Sequence, residues 1–273
     1  MWSMEYREGE WKQCAPRSLG QSIHCLGSHK SRGLGPDRAV CHSAWLLRIR
    51  LLRATVQELE AELERARDLD VAELADAIET IGFECTRCGA CCKSEEDDPH
   101  TATVFPDEVR DVADAGSEER DWRDVARPMP YGLDEDGNGE TFEWALQTDA
   151  CGDCTFYEED DDGTGSCSVH GSRPLICQTY PFSVALGGTS QPMGEAVDEA
   201  GMVRAHECEG LGRDISREDA ESLAGALKER AVRELEEAID VRDTYEPANP
   251  GPGETVVHDS EGAKRPDGST VGE

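Results

Sequence analysis

Cys85, Cys88, Cys91 and Cys92 fall within eight residues, inside the stretch FECTRCGACCKSEEDD from Phe83 to Asp98. Thiolates are soft ligands, and cysteines at this density point to zinc or to iron–sulfur chemistry. A two-residue spacer lets two thiolates turn toward one centre on a single loop, and a neighbouring glycine permits the tight backbone that this needs. CTRCGAC puts three cysteines in series. A bacterial ferredoxin uses a similar run, but here the fourth cysteine follows at once and no proline comes after it, so that pattern is not met. Side chains of neighbouring residues are expected to point apart. Cys91 and Cys92 should therefore serve two centres, or the two sides of a polynuclear one.

Five more cysteines follow. Cys151 and Cys154 form CGDC, Cys167 and Cys177 frame CSVHGSRPLIC, and Cys208 lies in HECEGLGRD. The N-terminus carries no apolar signal segment with a small-residue cleavage site. No run of about 20 apolar residues is present to cross a membrane. The chain is therefore read as cytoplasmic, where thiols favour metal or redox chemistry over structural disulfides. His100, His170 and His206 are read as surface or packed side chains rather than ligands. A metalloenzyme would need an open coordination position with a base nearby, and no such constellation is legible. No nucleotide-binding glycine loop, HExxH or nucleophile elbow is present.

At these residues the chain resembles the YkgJ-like cysteine-cluster family, a CxxCxxCC zinc- or iron-chelating domain. FECTRCGACC is similar to the family's hallmark. CTFYEEDDDGTGSCSVHGSRPLICQTYPF is similar to its second piece, in which an acidic loop is followed by RPxxC and an aromatic-Pro-Phe end. CEGLG is similar to a downstream Cys-x-Gly segment. The resemblance covers roughly residues 83–212. It departs at Gln178, where Arg is frequent, and at His170, where Tyr is common. By position it implies a metal set of Cys85, Cys88, Cys91, Cys92, Cys154, Cys167, Cys177 and Cys208, with Cys151 as an extra thiol: a spare, a substitute ligand or a redox group. Arg173 is read either as shaping the site or as a hydrogen-bond donor to a metal-bound sulfur. The metal is zinc or iron, the latter including an iron–sulfur cluster. The reading is a metal-binding module, with an unidentified protein partner as one use. The alternative is an iron–sulfur electron carrier or oxidoreductase accessory.

The rest of the chain must position these thiols. It is strongly acidic, with 59 Asp+Glu against 27 Lys+Arg and a formal charge of -32. Such a surface argues against nucleic acid, which needs basic contacts to phosphate. Lysine occurs only five times. Excess acid with Arg in place of Lys suggests a cytosol of very high salt, in which charges are screened beyond about 3 Å at 1 M. Residues 1–53 break this pattern, with nine Lys+Arg against four Asp+Glu and three of the five tryptophans. This basic segment is read as a disordered arm or as a mis-called start, with Leu51, Leu52 or Val56 as later starts.

Residues 54–244 are then the cysteine-cluster domain. Val56, Leu59 and Leu63 recur at helical spacing, and DVAE from Asp70 to Glu73 is expected to be a capping box opening a helix that Gly82 ends. TATVF reads as a strand, and PDEVRDVADAG as a helix with Pro106 at its first position and Gly116 as its stop. A DG/NG turn before TFEWALQ predicts a strand or hairpin, and Glu158–Ser166 a solvated acidic turn. The longest helix should start at Ser216, burying Leu223, Leu227, Ala231, Leu235 and Ile239. The Pro-, Gly- and Ser-rich tail over 245–273 is expected to be disordered. The fold class expected is α+β: helices around an irregular cysteine-rich centre with a few short strands.

Overall fold

Asp70 is the N-cap that opens the helix leading into the cysteines. Its carboxylate accepts the amides of Ala72 (2.7 Å) and Glu73 (3.3 Å), two of the donors that a helix start leaves unpaired. The computed structural model describes residues 58–94, 99–115, 119–186, 196–198 and 201–272. These all lie in one compact unit, Arg48–Glu273, and the basic segment 1–53 is outside the described residues.

The architecture is α+β, as expected. Helix α1 covers 58–67 and α2 covers Val71–Ile81. Short elements follow: β1 (Thr103–Val104), α3 (Pro106–Ala113), α4 (Trp122–Val125), β2 (Ala126–Pro128), β3 (Gly139–Thr141), β4 (Trp144–Leu146), β5 (Tyr157–Glu159), β6 (Gly165–Cys167), α5 (Leu175–Thr179), β7 (Phe182–Val184), β8 (Ala196–Asp198) and β9 (Val203–His206). The long α6 runs from Arg217 to Thr244 with Ser216 as its N-cap, and β10 (Thr255–Asp259) and β11 (Gly262–Lys264) close the chain. The strands make small sheets: β1-β4-β2, β7-β9-β8 and the β5–β6 hairpin, all antiparallel, and β11-β10-β3, in which β10 and β3 run parallel.

Two apolar cores result. The first joins α1, α2 and α6 to β7 and β9 through Leu74, Ile78, Leu227, Leu235, Phe182 and Val203. Leu227, Ala231 and Leu235 of α6 are buried as expected, while Leu223 and Ile239 are partly buried; Ala220, Ala224 and Arg230 complete that face. The second core gathers Val109, Val112, Val125, Trp144, Leu146, Phe156 and Val257.

One expectation is refined and another corrected. TFEWALQ, expected as a strand or hairpin, holds strand β4 at Trp144–Leu146, while its Thr141 ends β3, which joins a different sheet. The tail is not disordered. Val256 and Val257 of β10 are buried, and Trp144 Nε1 donates to Asp259 Oδ2 (2.8 Å), to which Lys264 is paired at 2.8 Å. Composition missed this because a short β-rich stretch, TVVHD, needs only one strand partner to find burial.

Candidate metal centre

Gly82 closes α2 at φ +77° and sends the chain into the first cysteine loop. That loop is held on two sides by backbone. On one side Glu84 N–H donates to the Gly210 carbonyl (3.0 Å), Gly212 N–H donates to the Gly82 carbonyl (3.0 Å), and Phe83 bridges Leu211. A Cβ at Gly210 would stand 2.3 Å from the Glu84 carbonyl oxygen, so this approach requires glycine. The pairing brings Cys208, whose Sγ accepts the Gly210 amide at 3.4 Å, to the Cys85 end of the loop. On the other side Arg87 accepts the Gly165 amide (2.7 Å) on its carbonyl and returns Nε to the Gly165 carbonyl (3.1 Å). CTRC is thereby fastened to the hairpin whose second strand ends in Cys167. The turn of that hairpin is closed by Asp160, which accepts the amides of Asp162 and Thr164.

Gly89, at φ +76°, opens the 3-10 turn Ala90–Cys92. Cys91 Sγ and Cys92 Sγ lie 3.9 Å apart on it. The expectation that they point apart is corrected here. Successive residues of a three-per-turn helix differ by about 120°, not the roughly 180° of a strand, so both sulfurs fit on one side. Their separation is near the edge of a tetrahedron with metal–sulfur bonds of about 2.3 Å, which is about 3.8 Å.

Cys154 donates its amide to the Cys92 carbonyl (2.8 Å), Cys167 sits opposite Tyr157 in the hairpin, and Cys177 lies on α5. Cys154 is buried in the second core, and Cys92, Cys167 and Cys177 pack against it. Cys85 and Cys91 are exposed, and Cys88 and Cys208 half-buried; all eight are free thiols. Cys151 is disulfide-bonded, and a sulfur so engaged has no thiolate to offer a metal.

Electrostatics ties these segments together. Burial pushes the Cys154 thiol up to about 11, and the neighbouring Cys167 and Cys91 add to it. Burial raises Cys177 further, with Cys154, Cys91 and Cys167 adding. Cys167 and Cys208 are also raised, first by burial; Cys208 then feels Cys88, Cys91 and Cys85. Cys91 is raised, first by its hydrogen bond with Cys92. Arg173 opposes the trend. Its Nε donates to the His170 carbonyl (3.2 Å), and its charge favours the thiolates of Cys91, Cys167 and Cys177. Thiols crowded in this way resist ionising together unless a cation compensates them.

Among the described residues, no three His, Cys, Asp or Glu side chains stand together as a ready-made metal cage. The thiols form a shared neighbourhood rather than a closed tetrahedron. As a donor set, eight soft sulfurs fit zinc or iron. The histidines are placed elsewhere or otherwise engaged. His100 is buried beside Arg127, His206 is buried and shares a 2.8 Å hydrogen bond with Ser183, and His170 is exposed. Arg87 and Tyr157, which hold the first loop, are not legible in the cysteine pattern; the sequence signal for them is the pair of glycines at 89 and 165 that make room for them.

Residues 84–209 match the family model described as "CxxCxxCC: Putative zinc- or iron-chelating domain". The match takes in the eight free cysteines found among the described residues and leaves α2, α6 and the tail outside. No curated protein and no solved structure matches the chain.

Proposed function

We propose that this is a cytoplasmic metal-binding protein of YkgJ-like type. It chelates zinc or iron through Cys85, Cys88, Cys91, Cys92, Cys154, Cys167, Cys177 and Cys208. The observation that carries the reading is that backbone pairing and core packing bring five cysteine-bearing segments into one neighbourhood. Backbone pairing, the Arg87–Gly165 clasp and packing on the second core hold those segments near one another, and bound metal would cross-link them and add folding free energy. Arg173 would lie close enough to offset part of the negative charge of a thiolate centre. The acidic surface supports a cytosol of high salt, and argues against nucleic acid as a partner.

A second reading, an iron–sulfur electron carrier, is favoured by one feature. Cys91 couples to thiols in every segment and is exposed, as suits a polynuclear centre reached from solvent. Metal analysis with visible absorption, on protein purified without oxygen, decides between them. About two zinc per colourless chain supports the module, on the basis of four thiolates per ion. Brown protein with iron and acid-labile sulfide supports the carrier. Protein that takes up neither metal refutes both.

A further inference from the structure

The eight thiols are not equivalent in their surroundings. Cys85 and Cys208 flank the backbone pairing of residues 82–84 with 210–212, whose Phe83 and Leu211 pack against the first core, and Cys88 follows Cys85 after a two-residue spacer that lets both thiolates turn to one centre. Cys154, Cys167 and Cys177 belong to the second core. The vicinal pair stands where the two meet: Cys92 packs on the second core and accepts the Cys154 amide, and Cys91 Sγ is 3.9 Å away.

We infer that the metal centre is bipartite, with a first set of Cys85, Cys88 and Cys208 on one core, a second set of Cys154, Cys167 and Cys177 on the other, and the Cys91–Cys92 turn as the junction that both use. The inference rests on the metal reading and goes beyond it, since it assigns which thiols act together and what the centre does for the fold. Exposure separates the sets as well, because Cys85 is open to solvent while Cys154 is buried. The first set is therefore the exchangeable one and the second the retained one. Metal held at the junction would tie the two cores to each other.

The test uses the full chain loaded with zinc and then challenged with an excess of a chromophoric chelator. Release should come in two phases of about equal amplitude, as two four-coordinate sites would give. Cys208→Ser should lose the fast phase, keep about half of the zinc and keep its circular dichroism. Cys85→Ser, at an exposed side chain, should do the same and serves if Cys208→Ser misfolds. Cys91→Ser should reduce both phases. A single phase in the wild type overturns the partition, as does a folded Cys208→Ser or Cys85→Ser protein stripped of all its zinc. A wild type that binds no zinc overturns the metal reading itself, and the two failures are told apart in that one measurement.

Discussion

Gly89 sits between the second and third cysteines, and its missing side chain decides whether the loop can close. A Cβ there would stand 2.1 Å from Tyr157 Oη, at a backbone φ of +76°. Gly163 has nearly the same backbone, φ +80°, but open space around it. Both alanine variants bear the strain of a left-handed residue, about 1–2 kcal/mol, but only Gly89→Ala must also push Tyr157 aside. Urea denaturation should show Gly89→Ala clearly the weaker of the two, with reduced metal retention; equal midpoints would remove Tyr157 from the account. The thiols were legible in the sequence because ligand chemistry resides in residue type and spacing. The seat of Tyr157 and the Arg87–Gly165 clasp were not, because they depend on segments 78 residues apart meeting. The orientation of the vicinal pair was misjudged because it depends on the local helix type, which adjacency alone does not specify. His100 gives a pH test at the same scale. An unfolded imidazole titrates near about 6.5, while burial holds His100 at about 4. The fold prefers the neutral ring, so its contribution is complete above about 6.5. Between there and about 4 it falls as the unfolded chain takes up a proton that the fold resists. The loss is roughly 3 kcal/mol. His100→Gln should flatten the stability profile over that window relative to wild type, and parallel profiles would count against this assignment.

Helix α6 shows what periodicity can and cannot reveal. Its apolar positions four apart were readable, and they face the first core. Arg230 lies on the same buried face at 2% exposure, where a count of apolar residues finds nothing. Its Nε pairs with Glu234 (2.6 Å), and its Nη1 donates to Thr179 Oγ1 (3.0 Å) and to the Phe182 carbonyl (3.3 Å). One guanidinium thus fastens α6 to α5, which carries Cys177, and to β7. Arg230→Ala would leave the Glu234 carboxylate buried without this partner, a change that costs about 3–5 kcal/mol. Thermal denaturation should show that loss. Arg230→Met, with Glu234→Leu beside it, should recover most of it, since apolar replacement of both partners removes the stranded charge. A mild Arg230→Ala phenotype would mean that α6 is held by its apolar face alone. The tail illustrates the opposite error. Its composition suggested no order, yet β10 takes its register from β3, 116 residues earlier at Thr255 and Gly139. That pairing is long-range, and no local pattern announces it.

At the scale of the whole molecule the charge excess dominates. Ion pairs are present, but the cations are shared: Arg217 alone contacts Asp76, Glu79 and Glu221. Exposed pairs of this kind contribute about 0–1 kcal/mol each, while the formal charge of -32 works against the compact state everywhere. The repulsion acts over a screening length of about 10 Å at 0.1 M salt and about 3 Å at 1 M. Raising the salt therefore removes a cost borne mainly by the fold, because the unfolded chain spreads its carboxylates apart. The melting temperature should rise by at least about 4 °C between 0.1 M and about 2 M potassium chloride, a shift that corresponds to about 1–2 kcal/mol in a domain of this size. Screening acts through ionic strength, so sucrose at matched osmolality should give a smaller rise. A melting temperature that is flat in potassium chloride, or that follows sucrose equally well, would show that the carboxylates are already too dispersed to matter. The acid excess would then say nothing about the salt in which this protein works.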